Sequence, residues 1–186
     1  MAIEKVLTPE FRVAFADVWE ARAYGDGEPK FGLVMVFPKT TDISALKRAA
    51  EKVAREKWGD KLPEMMKAGK IRLPWRDGTE YAQYDGFDDT VVFIRATSTR
   101  PPGIVDAKLQ RILDQTEFYS GCYARATVNA YAYDTKGNKG VSFGLLNLQK
   151  IRDGESFVGS AKPEKDFEPL AEKDFDPLSE DDDLPF

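Results

Sequence analysis

Cys122-Tyr123-Ala124-Arg125-Ala126-Thr127-Val128-Asn129-Ala130-Tyr131-Ala132-Tyr133 decides how this chain is read. Successive side chains of a β-strand point to opposite faces, so the stretch separates into two surfaces. The even positions Cys122, Ala124, Ala126, Val128, Ala130 and Ala132 are small and apolar and suit an inner face. The odd positions Tyr123, Arg125, Thr127, Asn129, Tyr131 and Tyr133 set three tyrosines beside an arginine and hydrogen-bonding groups. A long strand is expected over 119–134. Lys136-Gly137-Asn138-Lys139-Gly140 then reads as a hairpin turn, and a further strand follows over 141–151.

Upstream, Phe11, Val13 and Phe15 alternate with Arg12 and Ala14 in a strand that ends near Trp19. Tyr24-Gly25-Asp26-Gly27-Glu28-Pro29 is a loop by its glycines and proline. A second strand over 30–37 places Phe31, Leu33, Met35 and Phe37 on one side, and Pro38 stops it. The period then changes: Asp42 is placed to cap a helix with Ile43, Leu46, Ala49, Ala50, Val53, Ala54 and Trp58 on one face, ended by Gly59. A short helix over 63–68 and an irregular stretch over 69–89 complete an insertion at about 39–89. Residues 91–98 read as a third strand. After Arg100-Pro101-Pro102-Gly103, a helix over 105–113 is expected, with Leu109, Ile112 and Leu113 inward. Five strands with short connections and one helical insertion between the second and third fit a five-stranded OB-fold barrel better than a sandwich of about seven strands.

Charge divides the chain. From Ala161 to Phe186 ten acids and three lysines give a net charge of −7, while the other 24 basic and 22 acidic residues leave 1–160 at +2. Residues 1–160 are therefore expected to form the folded domain and 161–186 a disordered acidic tail. The tail holds a near repeat, Glu164 to Ala171 and Glu172 to Ser179, and ends in Asp181-Asp182-Asp183-Leu184-Pro185-Phe186. A purely solubilising extension has no use for that apolar tip. The single Cys122 excludes an internal disulfide, and the absence of histidine removes Cys/His zinc sites and the usual catalytic triads. No apolar run approaches the roughly 20 residues of a membrane helix. No cofactor, no metal and no membrane partner are expected, and the location expected is cytoplasmic.

The outer tyrosines suit single-stranded nucleic acid, since an aromatic ring stacks on any base for about 1–3 kcal/mol while Arg and Lys track phosphates. Equally, tyrosines on a half-buried strand cover a hydrophobic body. On the first reading Tyr123, Arg125, Tyr131 and Tyr133 meet the strand, joined by Lys136 and Lys139 of the hairpin, by Lys150, and by Arg76, Tyr81 and Arg100. Arg95, Lys108 and Arg111 are further cations nearby, and Trp75 reads as an anchor for the insertion. Two rival classes stand beside this one. Asp85, Asp88 and Asp89 suggest a Mg²⁺-dependent nuclease, although Asp and Gly together more often make a turn. A protein-interaction adaptor without DNA binding is the other.

The last six residues closely resemble the Asp-Asp-Asp-Ile-Pro-Phe tip of bacterial single-stranded-DNA-binding protein, with Leu184 in place of Ile. The body resembles a family of bacteriophage single-stranded-DNA-binding proteins, through Phe118-Tyr119-Ser120-Gly121-Cys122, Asn129-Ala130-Tyr131-Ala132-Tyr133-Asp134, Gly137-Asn138-Lys139-Gly140-Val141 and Gly144-Leu145-Leu146-Asn147-Leu148-Gln149. The resemblance implies an OB fold, sequence-tolerant binding of single strands in replication, recombination or repair, and, for a phage-encoded chain, the host cell cytoplasm as its location. It also implies that Asp181, Asp182, Asp183, Leu184, Pro185 and Phe186 recruit replication or recombination proteins. The −7 tail is further expected to compete with DNA for the groove. The long Gly/Gln-rich linker of the bacterial protein is missing, and homo-oligomerisation is left open.

Overall fold

The computed structural model describes residues 4–157 and 168–170. The expected domain boundary at 160 and the tip Asp181–Phe186 lie outside the described residues.

The strands are β1 (Val6–Leu7), β2 (Phe11–Arg22), β3 (Lys30–Pro38), β4 (Ile71–Arg72), β5 (Trp75–Asp77), β6 (Val91–Ser98), β7 (Gly103–Val105), β8 (Tyr123–Thr135) and β9 (Asn138–Arg152). The helices are α1 (Ser44–Trp58) and α2 (Leu62–Lys67), with short 3₁₀ turns at Gly59–Lys61 and Gly78–Tyr81. The five strands expected from sequence are β2, β3, β6, β8 and β9, and they close a ring. Neighbours pair in the order β2, β3, β6, β9, β8 and back to β2, antiparallel throughout except β6 with β9. The architecture is OB-like, with the insertion between β3 and β6 as expected.

The ring is filled by the periodicities of its strands. β8 sends Ala124, Ala126 and Val128 inward, all at most 2% exposed, and β3 contributes Leu33, Met35 and Phe37. β9 turns Val141, Phe143 and Leu145 inward, then changes phase to Leu148. Its pairing with β8 jumps from Thr127↔Asn147 to Val128↔Leu145, so one extra residue on β9 makes the switch. The turn between β8 and β9 needs only Lys136 and Gly137, both at positive φ (51° and 83°), the geometry that matches strand twist in a two-residue hairpin.

α1 closes over this core with Leu46, Ala50 and Ala54 buried at helical spacing. It starts one residue later than the capping pattern suggests. Ile43 occupies the cap position, and Asp42, just before it, accepts a hydrogen bond from Ser44 N at 2.9 Å. Hydrogen bonding with Ser44 holds the Asp42 carboxyl below its ordinary range.

Two expectations are corrected. No helix spans 105–113. Instead β7 runs parallel to β9, Asp106 gathers the amides of Lys108 and Gln110, and Leu109 takes a left-handed φ of 66° that no helix accepts. Of the three leucine-like residues placed inward, only Ile112 is buried, while Leu109 and Leu113 are 71% and 80% exposed. The second correction concerns Phe15, which does not join Phe11 and Val13 inside the ring. β2 carries an extra residue between Ala14↔Val34 and Asp17↔Gly32, and Phe15 sits there at φ 46°. The bulge rotates Phe15 onto the outer face of the sheet, against Ala14, Val34, Val36, Phe87 and Phe93. Among the described residues no helix is long and apolar enough to cross a membrane.

These positions predict unequal costs. Ile112→Ala is expected to lower unfolding stability by about 2–5 kcal/mol, as for other core truncations. Leu109→Ala should stay within about 0.5 kcal/mol of the parent. Urea denaturation of both variants checks the reassignment, since a buried helix would make the two losses similar.

Candidate nucleic-acid interface

The outer face of β2, β3 and β6 is split in two. Alternation directs Phe93, Arg95 and Thr97 of β6 outward, with Ile94 and Ala96 inside. The half around Phe93 is covered by the end of the insertion. Tyr81 stacks on Phe93 at 4.6 Å between ring centroids and 25° between planes, and Phe87 meets Phe93 edge-on at 5.2 Å. Phe15 completes that second core from the bulge, 6.1 Å from Tyr81.

Beyond Phe93 the face is open. From Arg95 onward it forms a groove of about 680 Å³ bounded by the 23–29 loop and the outer side of β8. Arg22, Tyr24, Lys30, Arg95, Tyr131 and Tyr133 line it. Register explains the gathering: Tyr131 lies opposite Ser142, Phe143 pairs with Ala96, and Thr97 pairs with Gly32. Tyr24 and Tyr131 present 49% and 38% of their surfaces. The Arg95 guanidinium lies 4.5 Å from the Tyr24 ring centroid, a cation–π contact that holds the ring on its loop. Tyr24 Oη donates to Asp17 Oδ2 at 2.6 Å, and Arg22 approaches Asp17 to 3.8 Å. Glu28 stands among the lining residues, opposed by three cations.

The residues singled out in the sequence do not all meet here. Tyr131 and Tyr133 do, and Lys136 and Lys139 sit on the adjoining hairpin, Lys139 3.9 Å from Asp134. Arg125 faces outward near the start of β8, where its Nε donates to Gln149 Oε1 at 2.7 Å. Tyr123 is at the far end of β8. Its ring is flanked by Arg12 at 5.5 Å and Arg152 at 4.0 Å, and Arg152 is itself paired with Glu10 at 2.7 Å. Lys150 is also remote, its side chain only 15% exposed and 2.6 Å from Asp153. Burial works against its charge, but the hydrogen bond and charge of Asp153 prevail and raise its pKa above the ordinary lysine value. Arg100 is exposed on the loop after β6, with its amide on Ser98 Oγ.

Arg76 and Tyr81 belong to the covered half. Arg76 Nε donates to Glu80 at 2.6 Å, and its guanidinium lies 5.4 Å from the Tyr81 ring and 5.6 Å from Phe93. Trp75, at the start of the same segment, packs partly buried against the main core, as an anchor should. Asp77 secures the segment further: its hydrogen bonds with Lys39 and Thr79 hold its pKa down at about 2. Asp85, Asp88 and Asp89 form no metal centre. Asp88 is committed to the amide and hydroxyl of Thr90, and among the described residues no group of three or more metal-binding side chains is assembled.

Arg22, Tyr24 and Lys30 escaped the sequence reading because the segment looked like an ordinary glycine loop. Their signal was position. This loop joins the first two ring strands, and in OB folds that connection is one of the two that embrace oligonucleotides. Arg95 was visible only as one cation among several.

A ring of this order, with an aromatic and cationic groove beside the loop that joins its first two strands, defines the class as an OB-like fold. The chain belongs to the family of the Enterobacter phage Enc34 single-stranded-DNA-binding protein, whose family model matches residues 4–181. Putative protein p50 of Acyrthosiphon pisum secondary endosymbiont phage 1 is 34% identical over 163 residues, 83% of this chain and 87% of that protein. The fold is similar to the single-stranded DNA-binding protein from bacteriophage Enc34 in complex with ssDNA, with a TM-score of 0.66, 20% identity and coverage of 82% of this chain and 89% of that one. It is also similar to gp2.5, a single-stranded DNA binding protein encoded by bacteriophage T7, with a TM-score of 0.61, 12% identity and coverage of 87% and 99%.

If Tyr81 covers a core, removing it costs stability. Tyr81→Ala is expected to destabilise the fold by about 2–4 kcal/mol, with thermal unfolding as the measurement. A fold unchanged in stability but impaired in DNA binding would return Tyr81 to the interface.

Proposed function

We propose that this chain binds single-stranded DNA with little sequence preference, along the groove between the 23–29 loop and the β8–β9 hairpin. The observation that carries this is the open half of the outer face, where Tyr24 and Tyr131 stand exposed beside Arg22, Lys30 and Arg95. Family membership supports the same reading. Tyrosine faces accept any base, and each stacked base is worth about 1–3 kcal/mol. Arg22, Lys30, Lys136 and Lys139 take phosphates and release their counterions, a release that gains less entropy as salt rises, so affinity falls. Arg125 and Arg100 extend the cationic track along β8 and past β6. Tyr123, Lys150, Arg76 and Tyr81 have structural partners and contribute little to binding.

The role is protection of single strands during phage DNA replication, recombination or repair, without catalysis. The family is one of binding proteins, which removes the ground for a nuclease built on Asp85, Asp88 and Asp89. Residues 161–186 act as an interaction tail. Their tip Asp181–Phe186 recruits replication or recombination proteins, and their net charge of −7 competes with DNA for the groove.

Titration of labelled oligo-dT at two salt concentrations tests the core of this reading. Tyr131→Ala should weaken binding by roughly 5- to 150-fold, the range set by losing one stacked base, and Tyr123→Ala far less. Log affinity should fall with log salt by about 0.7 per phosphate neutralised, and Lys30→Ala should remove about one such increment. Binding that ignores salt or prefers duplex overturns the proposal, and no binding at all leaves the adaptor reading. Deleting 161–186 should tighten oligo-dT binding, most at low salt, while unchanged affinity restricts the tail to recruitment.

A further inference from the structure

Behind the residues that line the groove stands an acid whose position charge alone does not explain. Asp17 lies on β2 beneath the 23–29 loop, with only 15% of its side chain exposed. It accepts the Tyr24 hydroxyl at 2.6 Å and draws Arg22 to 3.8 Å, and its two partners line the groove. It reaches them because of the β2 bulge. Before the bulge, odd positions point into the ring, as Phe11 and Val13 do; after it, Val18 points inward instead. The inserted residue therefore turns Asp17 from the core side to the groove side. A bulge that re-aims one carboxylate toward a binding surface is a recurrent device beside functional sites.

We propose that Asp17 is a positioning residue for single-stranded DNA binding, which it serves through Tyr24 rather than by touching DNA. This rests on the groove reading above. Tyr24 stands in a stretch exposed throughout, Arg22 to Lys30, where a free aromatic side chain samples many orientations. Three contacts restrict it: Asp17 at its hydroxyl, Arg95 over its ring at 4.5 Å, and the Tyr24 carbonyl bonded to the Gly27 amide. With hydroxyl and one face engaged, the ring keeps an exposed surface on the groove that also contains Tyr131. A base then meets a wall already ordered, and the cost of immobilising that side chain is met during folding instead of at binding.

The proposal has a sign that separates it from electrostatics. An acid beside a polyanion site repels the ligand, so removing Asp17 should raise affinity if charge were its only effect. Positioning requires the reverse. In the full-length chain, Asp17→Ala is expected to weaken oligo-dT binding about fivefold, in line with the freeing of one side chain and the loop that carries it. Tyr24→Phe keeps the ring and the Arg95 contact but loses the hydroxyl, and it should show a loss of similar size. The double variant should lose no more than either single one, because both break the same bond. Asp17→Asn retains an oxygen that accepts from Tyr24, and should recover most of the affinity. The salt dependence should stay at the parent slope in all four variants, since no phosphate contact is removed.

Affinity in Asp17→Ala equal to or above the parent overturns the inference, as do losses that add in the double variant. Tyr24→Phe, which changes one exposed atom, keeps the test decisive if Asp17→Ala fails to fold. Parent protein that does not bind oligo-dT would overturn the groove reading itself, a separate outcome visible before any variant is made.

Discussion

β8 hydrogen-bonds on both edges, to β9 along Tyr123–Thr135 and to β1 and β2 on the other side, and through it the sheet closes. An open sheet would leave edge groups unpaired and its inner apolar face wet, and closure removes both problems at once. The constraint falls on side-chain size. Cys122, Ala124, Ala126 and Val128 are small enough for α1 to lay Leu46, Ala50 and Ala54 into the same core. Larger residues there would displace the helix. With the inner positions committed to packing, the outer positions of β8 are released for Tyr131, Tyr133 and Arg125.

The second constraint is the division of the outer face. β3 is buried on both sides, with Leu33, Met35 and Phe37 in the ring and Val34 and Val36 under the aromatic cluster. Segment 75–89 covers one half with Tyr81 and Phe87, and Asp77, tied to Lys39 and Thr79, holds its start. The cover stops at Phe93. The candidate groove is thus the part of a continuous surface that the insertion leaves bare, and its polar floor of Arg95, Thr97 and Ser142 fits exposure as the valines and Phe93 fit burial.

Much of the fold was legible because strand and helix periods act locally. The alternation of β8, the apolar run of β3 and the 3- and 4-residue spacing of α1 each follow from which side chains avoid water. The reading failed where few residues carried the pattern. Leu109, Ile112 and Leu113 have helical spacing, but a turn around Asp106 leaves only Ile112 enough neighbours to bury it. The candidate groove was half legible. Tyr131 and Tyr133 stood out as a polar face of aromatic residues, while Tyr24, Arg22 and Lys30 looked like loop composition until the ring brought them across from β8.

By itself the sequence determined the five ring strands, the helical insertion, the inner and outer faces of β8 and the charge contrast between 1–160 and 161–186. Each depends on residue type at a local spacing, which survives without knowledge of neighbours. Tertiary structure alone decided which aromatic residues cover a core and which line a groove. Tyr81 and Tyr131 are chemically the same, and only the segment lying beside each one distinguishes them. It also decided the β2 bulge. A single extra residue turns Phe15 and Asp17 to the outer face, and that shift is fixed by pairing with β3, a partner the alternation of β2 does not reveal.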